Sequence, residues 1–180
     1  MSADGAAQVA APTWLGVVRQ TAFVVDDIDA AALDWARLQG VGPWFLYEVD
    51  IPGVTFRGAT VPMRARMGLA HTGSQQIELI QPDLTIPSIY REFLEAGGSG
   101  IHHLCYWADV DRSREHFRSR GSEVVQEGVT SAGNQFLYMS GNCGVPYLEF
   151  VDPTGGMKAF FDAVEDAARN WDGRQHLAMR

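Results

Sequence analysis

The sequence predicts an α+β fold built from two βαβββ modules, with a further helix at the C-terminus. Three observations predict it. Short β-branched or apolar stretches alternate with amphipathic stretches of helical period. The order strand, helix and three strands occurs twice along the chain. A final stretch from Met157 to Trp171 carries apolar residues at three- and four-residue steps, as an amphipathic helix does.

Composition indicates one globular domain rather than a disordered or disulfide-rich chain. The 180 residues are 46% hydrophobic and 20% charged, and the net charge is −8. An acidic chain repels nucleic acid and anionic membrane surfaces. No apolar run approaches the ~18 residues of a membrane helix. We therefore expect a cytoplasmic protein that binds neither partner.

Residues 1–13 are expected to be a disordered tail, because they are rich in alanine and lack the basic start of a secretory signal. The two cysteines, Cys105 and Cys143, do not form a disulfide framework.

The first module is expected to span 14–97. It begins with a β-branched strand, and acidic residues that suit a helix N-cap follow. Glycines and a proline then end the helix. A loop holding Pro52 and Gly53 is expected between the next two strands. The expected elements are strands at 17–25, 44–49, 64–70 and 75–80, and helices at 29–38 and 88–96.

The second module is expected to span 98–153, after a glycine-rich hinge. The expected elements are strands at 101–108, 123–126, 135–140 and 145–151, and a helix that ends at Phe117. Gly155 and Gly156 follow a proline and should end the sheet. Residues 154–180 then form the C-terminal helix and tail, and the whole is one structural domain.

Two internal matches support a duplication. The segment from Gln20 to Asp26 matches the one from His103 to Asp109, and the segment around Glu78 matches the one around Glu149. Each module therefore has a polar, ligand-type residue on its first strand and a glutamate within its last strand.

The matched residues predict a metal site. The neighbours of Glu78 and of Glu149 are apolar, so strand alternation turns both carboxylates to one face and their neighbours to the other. A buried carboxylate is costly unless it is paired or bound to a metal. The carboxylates of Glu78 and Glu149, the imidazole of His103 and the amide of Gln20 balance the charge of one divalent ion. Such a set of oxygen and nitrogen donors suits Zn, Ni, Co or Mn.

Other interpretations of these residues remain open. Glu78 and Glu149 could lie on solvated strand faces, His103 could be a core histidine bonded to backbone, and Gln20 could serve only in hydrogen bonding. His102 is expected to point away from His103 and to lie either just behind the site, supporting it, or at the surface. The predicted substrate-binding residues are Trp44, Phe56, Arg57, Tyr138 and Met139.

The order Gln20, Glu78, Gly100-Ile-His-His103 and Glu149, over roughly residues 17–153, resembles the vicinal oxygen chelate superfamily, in its glyoxalase I and methylmalonyl-CoA epimerase group. The resemblance implies a glyoxalase-like fold, in which the two modules form one cupped mixed sheet. It also implies a homodimer, and a metal held by Gln20, Glu78, His103 and Glu149. A CoA or glutathione tail on the substrate would need a positive rim, for which Arg57, Arg64 and Arg66 are the candidates.

The expected function is that of a divalent-metal-dependent isomerase or epimerase. It would transfer a proton at a carbon next to a carbonyl, through a metal-bound enediolate, on a small carbonyl or thioester substrate. Glu149 is the expected base, and Glu78, its counterpart in the first module, is the second catalytic carboxylate.

Two alternatives remain open: a metal-dependent lyase or dehydratase of the same superfamily, and a metal-free small-molecule-binding protein of the bleomycin-resistance type. An extradiol dioxygenase is disfavoured, because Gln20 stands where a second histidine would be needed.

Overall fold

A computed structural model describes residues 12–98, 100–141 and 144–178 of the chain. Most of the predicted N-terminal tail, residues 1–11, lies outside the described residues, as does Cys143. Within the described part of the chain, no helix is both long and apolar enough to span a membrane. The cytoplasmic location stays a prediction.

Eight strands and four helices make up the described structure. They are β1 (Val18–Val24), α1 (Ile28–Gln39), β2 (Phe45–Phe56), β3 (Ala59–Thr72), β4 (Gln75–Pro82), α2 (Ile89–Glu95), β5 (Ile101–Trp107), α3 (Val110–Arg118), β6 (Val124–Val129), β7 (Gln135–Ser140), β8 (Tyr147–Val151) and α4 (Gly155–Arg169). The predicted α+β fold with two βαβββ modules and a C-terminal helix is confirmed. The predicted module boundaries fall in the connections before β5 and before α4.

The cupped sheet closes into a barrel with the strand order β1-β4-β3-β2-β6-β7-β8-β5. The first four strands in this order belong to the first module and the last four to the second. Antiparallel pairs of β1 with β5 and of β2 with β6 join the modules. One chain therefore encloses a complete barrel interior.

The prediction of a loop around Pro52 and Gly53 is wrong. β2 and β3 instead form a long hairpin whose turn lies at Arg57 and Gly58. The side chains of Val54 and Phe56 are buried in the barrel core. Their burial outweighs the turn tendency of the Pro-Gly pair, which is accommodated by a register shift between Ile51 and Val54.

The outer face of the barrel is covered by α1 and α3. Ile77 and Leu79 of β4 pack in the apolar cluster that includes α1, and Leu148 and Phe150 of β8 pack in the cluster that includes α3. Because successive side chains of a strand point to opposite faces, the residue between each pair points into the barrel. These inward residues are Glu78 and Glu149.

The remaining two helices pack at other parts of the barrel. Ile89 and Tyr90 of α2 are fully buried among the interior side chains of the barrel core. Phe161 and Val164 of α4 pack on Leu69 of β3. The helix α4 begins at Gly155, two residues before the predicted start, because Thr154 in extended conformation marks its N-terminal boundary.

Candidate metal centre and cavity

A cavity of about 620 Å³ lies inside the barrel and opens to solvent. Its polar inner residues are Gln20, Glu78 and Glu149, and exposed Glu48 and Asp50 lie at its mouth. The wall is otherwise mostly apolar. It includes Tyr47, Val49, Ile51, Met63, Met67, Phe136, Tyr138, Val151, Met157, Phe160 and Phe161.

The four predicted ligands come from four adjacent strands, β4, β1, β5 and β8. Glu78 and His103 both lie opposite Ala22 of β1, Glu78 in the parallel pair of β1 with β4 and His103 in the antiparallel pair of β1 with β5. Gln20 and Glu149 both lie opposite Cys105 of β5. The two modules are thus placed symmetrically about the β1–β5 pair, and one chain supplies the whole set.

The ligand atoms converge on His103. Its Nε2 lies 3.2 Å from Glu149 Oε2 and 3.4 Å from Glu78 Oε2. Ligand atoms of these three residues all lie within 4.8 Å of one another. The Gln20 amide is buried and hydrogen-bonds to Glu78. The structure therefore brings the four residues together, and their role as metal ligands stays a prediction.

The imidazole of His103 fits a metal ligand. It is fully buried, and although two carboxylates lie near, its Nε2 has no well-aligned hydrogen-bond partner. A buried polar atom without a partner is uncommon in folded proteins. A divalent ion between the two carboxylates would satisfy Nε2 and neutralise both glutamates.

His102 fixes the orientation of His103. It is fully buried, and its Nδ1 lies 2.9 Å from Nδ1 of His103. With Nε2 of His103 free to bind a metal, its Nδ1 donates to His102, whose own Nε2–H then donates to the carbonyl oxygen of Ile89, 3.3 Å away. Such outer hydrogen bonds set the tautomer of a ligating histidine. Of the two places expected for His102, behind the site or at the surface, the structure shows the first.

The electrostatics of the metal-free site are dominated by the two carboxylates. Burial alone lowers the pKa of His103, but Glu149 and Glu78 outweigh it and raise the pKa to about 9. Burial raises the pKa of Glu78, in part offset by His103. Burial also acts to raise the pKa of Glu149, but the close positive charge of His103 and hydrogen bonds from other side chains outweigh it, and the net pKa is lowered.

Glu149 has two further hydrogen-bond donors, the hydroxyl of Tyr138 and the thiol of Cys105. Tyr138 and Cys105 lie directly opposite Glu149 on the neighbouring strands β7 and β5. The hydroxyl oxygens of Tyr138 and Tyr90 lie 3.0 Å apart and share a hydrogen bond. These bonds hold the carboxylate at the cavity wall.

Of the five predicted substrate-binding residues, the structure places only Tyr138 on the cavity wall. Met139 follows Tyr138 on β7 and therefore points outward, into the cluster beneath α3. Trp44 is buried between the barrel and α1. Phe56 points inward but packs in the barrel core. Arg57 lies at the tip of the β2–β3 hairpin, half-exposed.

The cavity wall also contains residues that the sequence analysis did not select. Met157, Phe160 and Phe161 of α4 line it, together with Tyr47 of β2 and Phe136 of β7. The helical spacing of Met157, Phe160 and Phe161 predicts an apolar stripe on α4, but that pattern does not tell which part of the protein the stripe faces.

Comparison with known proteins gives a family and a fold. The family model described as Glyoxalase/Bleomycin resistance protein/Dioxygenase superfamily matches residues 19–139. Among curated proteins, no sequence matches this chain significantly.

Solved structures similar to this one include methylmalonyl-CoA epimerase from Mycobacterium tuberculosis, with 21% identity, TM-score 0.58, and coverage of 84% of this chain and 97% of that one. A hypothetical protein from Bacillus halodurans C-125 is 18% identical, with TM-score 0.53 and coverage of 77% and 95%. A Streptomyces coelicolor methylmalonyl-CoA epimerase variant in complex with 2-nitronate-propionyl-CoA is 20% identical, with TM-score 0.51 and coverage of 76% and 94%. At these identities the similarity shows a shared fold.

Metal loading tests the centre directly. After incubation with mixed divalent ions and desalting, mass spectrometry should find about one ion per wild-type chain and none in His103→Ala, because the variant lacks the central nitrogen donor. The control is His116→Ala, which removes a histidine outside the cavity and should load normally. A fully loaded His103→Ala variant that keeps the native circular dichroism would contradict the assignment.

Metal binding should also release protons. Without metal, the pKa of His103 is about 9. At pH 7.5 its imidazole therefore carries an extra proton, which it must lose to bind a metal. Calorimetric titration of zinc in buffers of different ionisation enthalpy should give close to one proton released per ion. The release should fall as the pH rises through about 9, where the imidazole is already neutral. Binding heats that do not depend on the buffer at pH 7.5 would contradict this prediction.

Proposed function

Because the chain belongs to the Glyoxalase/Bleomycin resistance protein/Dioxygenase superfamily, we propose that it is a divalent-metal-dependent isomerase or epimerase that moves a proton at a carbon next to a carbonyl. One observation carries the proposal. Two buried carboxylates, a buried imidazole and an amide meet at the inner end of a largely apolar cavity. This is the arrangement that both a metal centre and proton transfer require.

Gln20, Glu78, His103 and Glu149 would hold the ion, and their mixed oxygen and nitrogen donors suit Zn, Ni, Co or Mn. Bound there, the ion would act as a Lewis acid that polarises the substrate carbonyl and makes the adjacent C–H acidic. The rest of the chemistry falls to the side chains of this chain.

Glu149 is the proposed base. Its carboxylate lies on the cavity wall, and the lowered pKa means that it is ionised at neutral pH and able to accept a proton. Tyr138 orients it by donating a hydrogen bond. Tyr138 is therefore a positioning residue for the base, and it also forms part of the cavity wall.

Glu78 is the proposed second carboxylate. It comes from β4 and Glu149 from β8, and these strands flank the central β1–β5 pair. The two carboxylates therefore approach the centre from two sides. That placement supports epimerisation, in which one group removes a proton and another returns one to the opposite face. Epimerase is also the activity named for two of the similar structures.

The proposed substrate is a small-molecule carbonyl compound or thioester. All four ligands come from one chain, so the site does not need a second subunit, and the homodimer stays a prediction. A lyase or dehydratase would begin with the same proton removal, and product analysis separates it from an isomerase.

Proton exchange tests the proposed base. In D₂O, the metal-loaded wild type should exchange the α-proton of a carbonyl substrate, and Glu149→Gln should exchange it ~10²–10⁴-fold more slowly, because an amide cannot accept the proton. The variant keeps an oxygen donor, so its metal content should be retained and must be measured. Glu95→Gln, an exposed position on α2, is the control and should exchange at the wild-type rate. Undiminished exchange in Glu149→Gln would overturn the assignment of the base.

The pH dependence of the rate tests the role of Tyr138. Tyr138 lowers the pKa of Glu149, so Tyr138→Phe should raise that pKa. Because the base acts in its ionised form, the acidic limb of the pH–rate profile should move to higher pH, by about one unit for one lost bond to a charged group. The rate at the alkaline plateau should change less. Tyr90→Phe leaves the Tyr138–Glu149 bond in place and should shift the limb by less than half as much. An unshifted limb in Tyr138→Phe would show that Tyr138 does not act on the base.

A further inference from the structure

We propose that the part of the substrate that lies away from the metal ligands is uncharged and apolar, and that an aromatic ring is the chemical group that fits it best. The inference rests on the proposed function, because it concerns the same site and narrows its substrate class. It excludes substrates that carry a CoA or another polyanionic tail.

The first argument is the wall of the cavity. Phe160 of α4 meets Tyr47 of β2 edge to face, with ring centroids 5.6 Å apart and planes at 90°. Phe136 and Tyr138 of β7 form a second edge-to-face pair at 5.9 Å and 69°. Both pairs line the cavity. Aromatic faces and edges attract a further ring in the same offset or edge-to-face arrangements.

The second argument is charge. Among the described residues that line the cavity there is no lysine or arginine. The charged groups are instead carboxylates, with Glu78 and Glu149 inside and Glu48 and Asp50 at the mouth. An anionic group on the substrate, away from the metal ligands, would lose its hydration and find no cationic side chain in the described wall to replace it. An uncharged group avoids this cost.

The third argument concerns the arginines expected to form a positive rim. Arg57 forms a two-point ion pair with Glu92, with nitrogen–oxygen distances of 2.8 Å and 2.9 Å. Arg66 bonds to Asp29 at 2.7 Å and lies 3.3 Å from Glu48, and Arg64 lies 3.5 Å from Asp50. None of the three lines the cavity. Each is neutralised by a carboxylate of this chain, so the expected anion-binding rim is absent from the described cavity wall.

The size of the cavity agrees with a compact ligand. Its volume of about 620 Å³ lies within the ~300–1,000 Å³ typical of sites that enclose drug-sized ligands. The methionines Met63, Met67 and Met157 adapt the wall to the shape of an apolar body, because their thioether side chains are flexible and polarisable.

A matched pair of ligands tests the proposal. Both 2-hydroxyacetophenone and its para-carboxylate analogue, 4-(hydroxyacetyl)benzoate, carry a carbonyl and a hydroxyl group on adjacent carbons of the side chain of the same ring, and only the second is charged at its far end. Calorimetry on the zinc-loaded wild type should show the neutral ligand binding at least tenfold more tightly. Propionyl-CoA should bind more weakly than the neutral ligand.

Two charge-reversal variants identify the origin of the preference. Glu48→Arg puts a cation at the mouth and should reduce the preference for the neutral ligand at least threefold. Glu95→Arg makes the same charge change at another ion-paired, exposed glutamate that does not line the cavity, and should leave the preference unchanged.

A third variant tests the aromatic wall. Phe160→Ala should weaken the binding of the neutral ligand at least fivefold, because it removes one ring of the wall.

The outcomes separate this inference from the proposed function. Equal or tighter binding of the carboxylate analogue or of propionyl-CoA would overturn the substrate class, as would failure of the neutral ligand to bind to a protein that loads metal. Either result leaves the proposed function standing, because metal loading and proton exchange test it separately. An unchanged preference in Glu48→Arg would overturn the argument from charge at the mouth.

Discussion

The structure depends on how two carboxylates inside a barrel are neutralised. Glu78 and Glu149 point into the barrel, and moving an unpaired carboxylate out of water costs on the order of several kcal/mol even after relaxation. One imidazolium, that of His103, lies between them and balances one of the two charges. The remaining charge calls for a proton or for a divalent ion. A barrel built only for stability would have apolar side chains at these positions, so the carboxylates indicate chemistry.

The duplication explains how the fold places these groups. In each module the apolar neighbours of the glutamate pack under a helix, α1 or α3, and this packing turns the carboxylate inward. The antiparallel β1–β5 pair then brings the two modules together, so that Gln20 lies opposite Cys105 and His103 lies opposite Ala22. The packing of the outer face and the assembly of the inner site are therefore consequences of the same strand register.

The meeting of Gln20, Glu78, His103 and Glu149 could be predicted from sequence because its signals are local: the two-residue period of a strand and a repeated order of elements. The cavity wall could not, because a period tells which face a side chain takes but not which end of the barrel. Tyr47 and Phe56 of β2 both point inward, yet only Tyr47 reaches the cavity. From sequence, Arg57 is a candidate to bind an anion, but in the fold it pairs with Glu92 of α2, which is far from it in sequence.

The same distinction separates the candidate ligands from the cavity wall. The two-fold arrangement of the modules supplies the candidate ligands in related positions, two from each module. The helix α4 carries none of these candidate ligands, and its Met157, Phe160 and Phe161 form part of the cavity wall. A change in α4 can therefore alter which substrate is held without altering the register of the strands that carry the ligands. Substrate preference in this chain is accordingly to be sought in α4 and in the strand residues facing it, such as Tyr47, rather than in the duplicated centre.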